Sequence, residues 1–168
     1  MGFDATSGAV LLTWGVFTAF QFHNPTPSDL KYYESNFRRL RVFRIPWPAY
    51  IVLFVLTYGP LFVSIFLYHL WLSSFSEVPV TIYILYLVML MVDKIWFVFF
   101  FRYKNMPATI FCALVQVALS ATLIILMCTN ASRQEVGDLW YVPMILQIPF
   151  FLLMAHLVVF SVDWSLQK

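Results

Sequence analysis

The chain has 168 residues, of which 62% are hydrophobic and only 11% charged, and its net charge is +2. Soluble domains are about half apolar and about a quarter charged, so this composition excludes an ordinary soluble enzyme. The small net charge gives no basis for a nucleic-acid partner.

Five apolar runs follow one another, each close to the ~20 residues a helix needs to cross about 30 Å of hydrocarbon. The first covers residues 7–22, and the only long connection, 23–46, follows it. That connection mixes Pro25, Pro27, Tyr32 and Tyr33 with Lys31, Arg38, Arg39, Arg41 and Arg44. It is expected to lie on the membrane surface, aromatics at the interface and the four arginines on lipid phosphates. The second run, 48–72, contains Pro60, and the third, 78–101, contains Asp93 and Lys94. The fourth is 108–128, and the fifth, 139–162, holds Pro143 and Pro149. Prolines 46, 48, 79 and 107 mark helix starts, where a missing N–H costs little. Those inside the runs should bend or open them. Short connections place consecutive helices antiparallel and side by side. The expected fold is an all-α, five-helix transmembrane bundle forming a single domain over residues 1–168.

The charges orient it. Lys31, Arg38, Arg39, Arg41, Arg44, Arg102, Lys104 and Lys168 are eight of the ten basic residues, and all fall on one side. The other side carries Arg133 together with Asp4, Glu77, Glu135 and Asp138. The positive-inside rule then puts the long connection and the C-terminus in the cytosol, or in the matrix if the membrane is the mitochondrial inner one.

Few residues offer chemistry. Asp93 and Lys94 are charged at membrane depth, which makes them functional candidates. Lys94 can snorkel to the headgroups. Asp93 needs a donor inside the bundle or else stays protonated, and His156 on the fifth helix, at a similar distance from the basic side, is the expected donor. An Asp93–His156 contact is read as a polar clamp between helices. His69 lies near the opposite face, too far from His156 to share a haem. Cys112 and Cys128 stand sixteen residues apart on one helix, so they cannot bridge. Metal-ligand spacings, phosphate loops and hydrolase triads are not found in the sequence, and neither a cofactor nor catalysis is expected. The chain has eighteen Phe, nine Tyr and six Trp; Trp14, Trp71, Trp96, Trp140 and Trp164 fall mostly near span ends, as an interfacial belt requires.

Taken in order, several segments resemble the TspO/MBR family (translocator protein, tryptophan-rich sensory protein). Tyr32-Tyr33-Glu34-Ser35, then Phe43-Arg44-Ile45-Pro46, lead into a helix with Tyr58, much as that family's WYxxL and PxF.PP segments do. Asp93-x-x-Trp96 with Phe100-Phe101-Arg102 resembles its N..W…FF segment, and Val142-Pro143 resembles its VPY. The similarity runs from about Tyr32 to Val162. It implies a five-helix bundle, often dimeric, binding porphyrin or sterol in a pocket roofed by the first loop. On this chain that pocket would draw on Trp47, Tyr50, Phe54, Tyr58, Asp93, Trp96, Phe100 and Gln147. The departures fall mainly at the positions expected to touch ligand. Phe54 stands in place of a Trp, Trp47 in place of a Pro, Met144 of a Tyr, Gln147 of a Trp and Ala155 of an Asn, and the surroundings of Phe160 replace a sterol-motif Tyr. A scaffold kept while pocket anchors drift fits a non-catalytic accessory subunit of a larger membrane complex, such as a respiratory one, with lipids and other subunits or a second copy as partners. A translocator-type protein holding porphyrin, sterol or another apolar ligand is the alternative.

Overall fold

A computed structural model of the protein describes residues 8–9, 12–13, 15–16, 25–37, 45–73, 80–132 and 141–166. All regular elements among them are helical: α1 (Pro27–Phe37), α2 (Trp47–Ser73), α3 (Val80–Phe97, continued by a π-helical turn, Val98–Tyr103), α4 (Met106–Ser132), α5 (Val142–Ile145) and α6 (Ile148–Ser165). Four stretches are long and apolar enough to cross a membrane: Trp47–Leu70, Val80–Tyr103, Met106–Asn130 and Val142–Ser165. They match four of the five expected runs to within a few residues. Of the first run, the described residues are helical, and Gly15 lies against Phe62 of α2. The remainder of that run is outside the described residues.

The long connection holds a helix that its polarity and prolines concealed. Thr26 caps α1: its N–H donates to Asp29 Oδ2 at 2.8 Å, and Asp29 N–H returns to Thr26 Oγ1 at 3.3 Å. Pro27 occupies the first helical position, where no N–H is needed. The third span ends just as tightly. Lys104 adopts φ 50° and returns its N–H to Phe99 O, while Asn105 Oδ1 accepts from Ala108 N–H at 3.2 Å to start α4. Few non-glycine residues accept that left-handed conformation.

Pro60 does not interrupt α2, which is helical throughout. The last span does break. Gln147 N–H bonds Met144 O at 3.0 Å in place of Pro143 O, and Pro149 has no N–H to offer Ile145 O. A freed carbonyl in lipid must find another donor. Ser64 of α2 supplies one, donating from Oγ to Pro143 O at 2.6 Å.

Close backbone packing joins α3 to α4, α4 to α6, and α2 to both α5 and α6. Gln116 of α4 pins the first pair by donating Nε2–H to Met89 O at 2.8 Å. Consecutive α2 and α3 were expected to pack side by side, but they meet mainly through long side chains. Rings too large to let the backbones close fill the space between them.

Candidate functional site

The seam between α2 and α3 is built by helical spacing. Trp47, Tyr50, Phe54 and Tyr58 recur every three or four residues, so they share one face of α2. On α3, Asp93, Trp96, Phe97, Phe100 and Phe101 do the same, and all five are buried. Ring pairs cross the seam: Trp47 meets Phe101 at 5.4 Å between centroids, and Phe54 meets Phe97 at 5.6 Å. The last span closes one side with Phe150 on Tyr58 (5.2 Å) and Trp164 on Phe100 (5.0 Å). The helix α1 forms the roof, its Tyr33 ring stacked on Phe160 and Trp164 at 6.2 and 5.7 Å. Each such pair contributes about 0.5–1.5 kcal/mol beyond the area it buries.

What remains open is small. A cavity of about 220 Å³, openings included, lies among Tyr33, Trp47, Tyr50, Phe54, Trp96, Phe100, Leu157 and Phe160. It has clear room for hardly more than one water molecule. Drug-sized ligands occupy pockets of about 300–1,000 Å³.

Most polar groups around the cavity are engaged. Tyr33 donates to Ile45 O at 2.6 Å, and burial holds its phenol well above the usual tyrosine range, so it stays a donor. Tyr50 Oη and His156 Nε2 are 3.0 Å apart. The Tyr58 hydroxyl donates to Asp93 Oδ2. Two buried atoms on this face of α3, Asp93 Oδ1 and the Trp96 indole N–H, have no partner among the described residues. The described residues contain no group of three His, Cys, Asp or Glu side chains able to hold a metal ion. Chemically, the arrangement could hold a flat apolar molecule bearing one hydrogen-bond acceptor for Trp96, provided that the rings moved apart.

Five of the eight residues named for a ligand pocket, Trp47, Tyr50, Phe54, Trp96 and Phe100, line this cavity together. Tyr58 and Asp93 pair with each other rather than lining it. Gln147 is elsewhere, donating Nε2–H to Ser64 Oγ at 3.0 Å and pointing the same nitrogen at Met127 Sδ. The expected Asp93–His156 contact is not formed, because the helices are staggered. His156 is nine residues from the end of α6 and its partner Tyr50 three from the start of α2, so α6 overhangs α2 by roughly 9 Å. Distances measured from each helix's own end therefore misjudged the level at which residues meet. Trp96 and Trp164 are core residues, 4% and 3% exposed, rather than members of an interfacial belt. Arg38, Arg39, Arg41 and Arg44, named for lipid headgroups, lie outside the described residues.

Sequence reasoning missed Tyr33, Leu157 and Phe160 as cavity walls and Ser64 as the clamp on the broken helix. For Tyr33 a signal existed: the Thr26-Pro27-Ser28-Asp29 cap announces a helix that carries it. Ser64 gave none, since its role depends on a carbonyl 79 residues away. Compared with protein-family models, curated proteins and solved structures, the chain gives no significant match to any of them.

Proposed function

We propose that this is a non-catalytic, TspO-like integral membrane protein acting as an accessory or structural subunit of a larger membrane assembly, with a mitochondrial respiratory complex as its setting. One observation carries the reading: the space in which such a bundle would hold a ligand is filled by the chain's own rings. Tyr33, Tyr50 and Tyr58, the phenols that would anchor a porphyrin or sterol, are committed to Ile45, His156 and Asp93. An interior closed in this way leaves the outer surfaces for function. They are apolar, with Met91, Phe111, Ile125 and Leu152 about 60% exposed or more, which suits lipid and neighbouring subunits alike. Lys104 and the basic connection supply contacts to anionic headgroups. Blue-native electrophoresis of the source membrane tests the proposal. Stoichiometric migration with a large complex is expected, and migration as a lone monomer or homodimer argues against it.

A second reading rests on the Trp96 indole. Its N–H is buried beside a cavity without an acceptor among the described residues, and an unpaired buried donor is costly unless something is there to receive it. A translocator-type protein that opens the seam for porphyrin, sterol or another flat apolar ligand would use that donor.

A further inference from the structure

Beyond accepting from Tyr58, the Asp93 carboxyl has no part in either reading. It stands thirteen residues from Val80 and ten from Tyr103 in its span, roughly 20 Å and 15 Å from the two ends, and is 1% exposed. Oδ2 accepts the Tyr58 hydroxyl, and Oδ1 is buried with no partner among the described residues. One cation, Lys94, acts on it electrostatically, and it forms no ion pair with the carboxyl. From α2 it meets Tyr58, and Tyr86 of α3 lies within electrostatic reach of that same phenol. Lys94 follows it directly on α3, so its side chain leaves the helix about 100° away, on a partly exposed face. Antiparallel α4, pinned at Met89 by Gln116, brings Gln116 and Cys112 to neighbouring levels, and α6 brings Phe150 against Tyr58. No ion pair to Asp93 is present among the described residues, and Tyr58 is its one hydrogen-bond partner.

A carboxylate in that position would leave one charged oxygen bare in a medium of low dielectric, far from water. A carboxylic acid keeps the same Tyr58 contact, with Oδ2 as its carbonyl and Oδ1 carrying the hydrogen, and it removes the charge. We propose that Asp93 is an intramembrane proton-binding site, a neutral acid at neutral pH that holds one proton per chain on Oδ1. The site exchanges that proton with bulk water whenever the α2–α3 seam opens enough to admit it. It is independent of whether the protein is a subunit or a ligand carrier.

Infrared spectroscopy of the full chain in phosphatidylcholine bilayers tests this, using carboxyl-carbon-13 aspartate and the variants Asp93→Asn and Tyr58→Phe. At neutral pH the chain is expected to show the carbonyl stretch of a protonated acid, moved by the isotope and absent from Asp93→Asn. Tyr58→Phe should keep the band and move it to higher wavenumber, since the carbonyl loses its donor. The proposal is overturned if the unaltered chain shows no isotope-sensitive acid band, a result that needs no variant to fold. It is equally overturned if such a band survives in Asp93→Asn at full intensity, or if Tyr58→Phe leaves its position unchanged.

Discussion

Asp93 and Tyr58 form the deepest side-chain hydrogen bond across the aromatic seam, and they show what one donor means away from water. Replacing Tyr58 by Phe keeps the ring and removes the hydroxyl, leaving both Asp93 oxygens without a partner. A cost of about 1–3 kcal/mol is expected, the usual penalty for stranding a buried polar group. Tyr50→Phe should cost about 1 kcal/mol or less, because His156 is only half-buried and polar contacts between membrane helices are worth about 0.6 kcal/mol on average. Unfolding in mixed micelles with a denaturing detergent measures both; a larger loss at Tyr50 would show that the two contacts have been ranked wrongly. Ser64→Ala belongs to the same scale. It removes the hydroxyl that serves Pro143 O, and a loss of about 1–3 kcal/mol is expected from the same measurement.

Among the elements, α1 is the most conditional, since side chains rather than close-packed helices hold it. Trp164 donates Nε1–H to Tyr32 Oη at 3.2 Å, and Lys104 Nζ sits 4.6 Å from the Tyr32 ring centre. Trp164→Ala should therefore cost about 3–5 kcal/mol. It should also speed amide exchange in α1 far more than in the α3–α4 pair; uniform change across both would argue against separate docking. Burial raises the Tyr32 and Tyr33 phenols above their ordinary value of 10.0, Tyr33 the more. A raised folded-state value means the folded chain holds those protons longer than the unfolded one. The stability this contributes is complete below pH 10.0 and is lost as pH rises further. Amide exchange of α1 followed against pH, corrected for its intrinsic base catalysis, should stay protected up to that point and lose protection above it. The four described spans were legible in the sequence because twenty apolar residues in a row have few other uses. Helical periodicity alone likewise puts Trp47, Tyr50, Phe54 and Tyr58 on one face. The pairing of Asp93 was not legible, because helix stagger is set by how rings such as Trp164 fill space between chain-distant elements. Nor was the break at Leu146–Gln147 located, for Pro60 and Pro149 look alike in sequence and only one of them opens its helix.

For the molecule as a whole, lipid outside and rings inside leave sidedness and interior volume as the properties that matter. Cysteines introduced singly in residues 31–44 and at the C-terminal tail should react with an impermeant maleimide from the same face of sealed vesicles; opposite faces would undo the orientation drawn from the basic residues. The interior is the sharper issue, because a closed seam and a ligand pocket make opposite demands on the same space of about 220 Å³. Titrating the bilayer-embedded chain with protoporphyrin, and separately with a fluorescence-quenching sterol analogue, addresses it most directly through tryptophan emission. Linear, unsaturable quenching that is unchanged in Trp96→Ala is the expected result. Saturable quenching at low micromolar ligand, abolished by Trp96→Ala in a folded protein, would contradict a self-filled bundle.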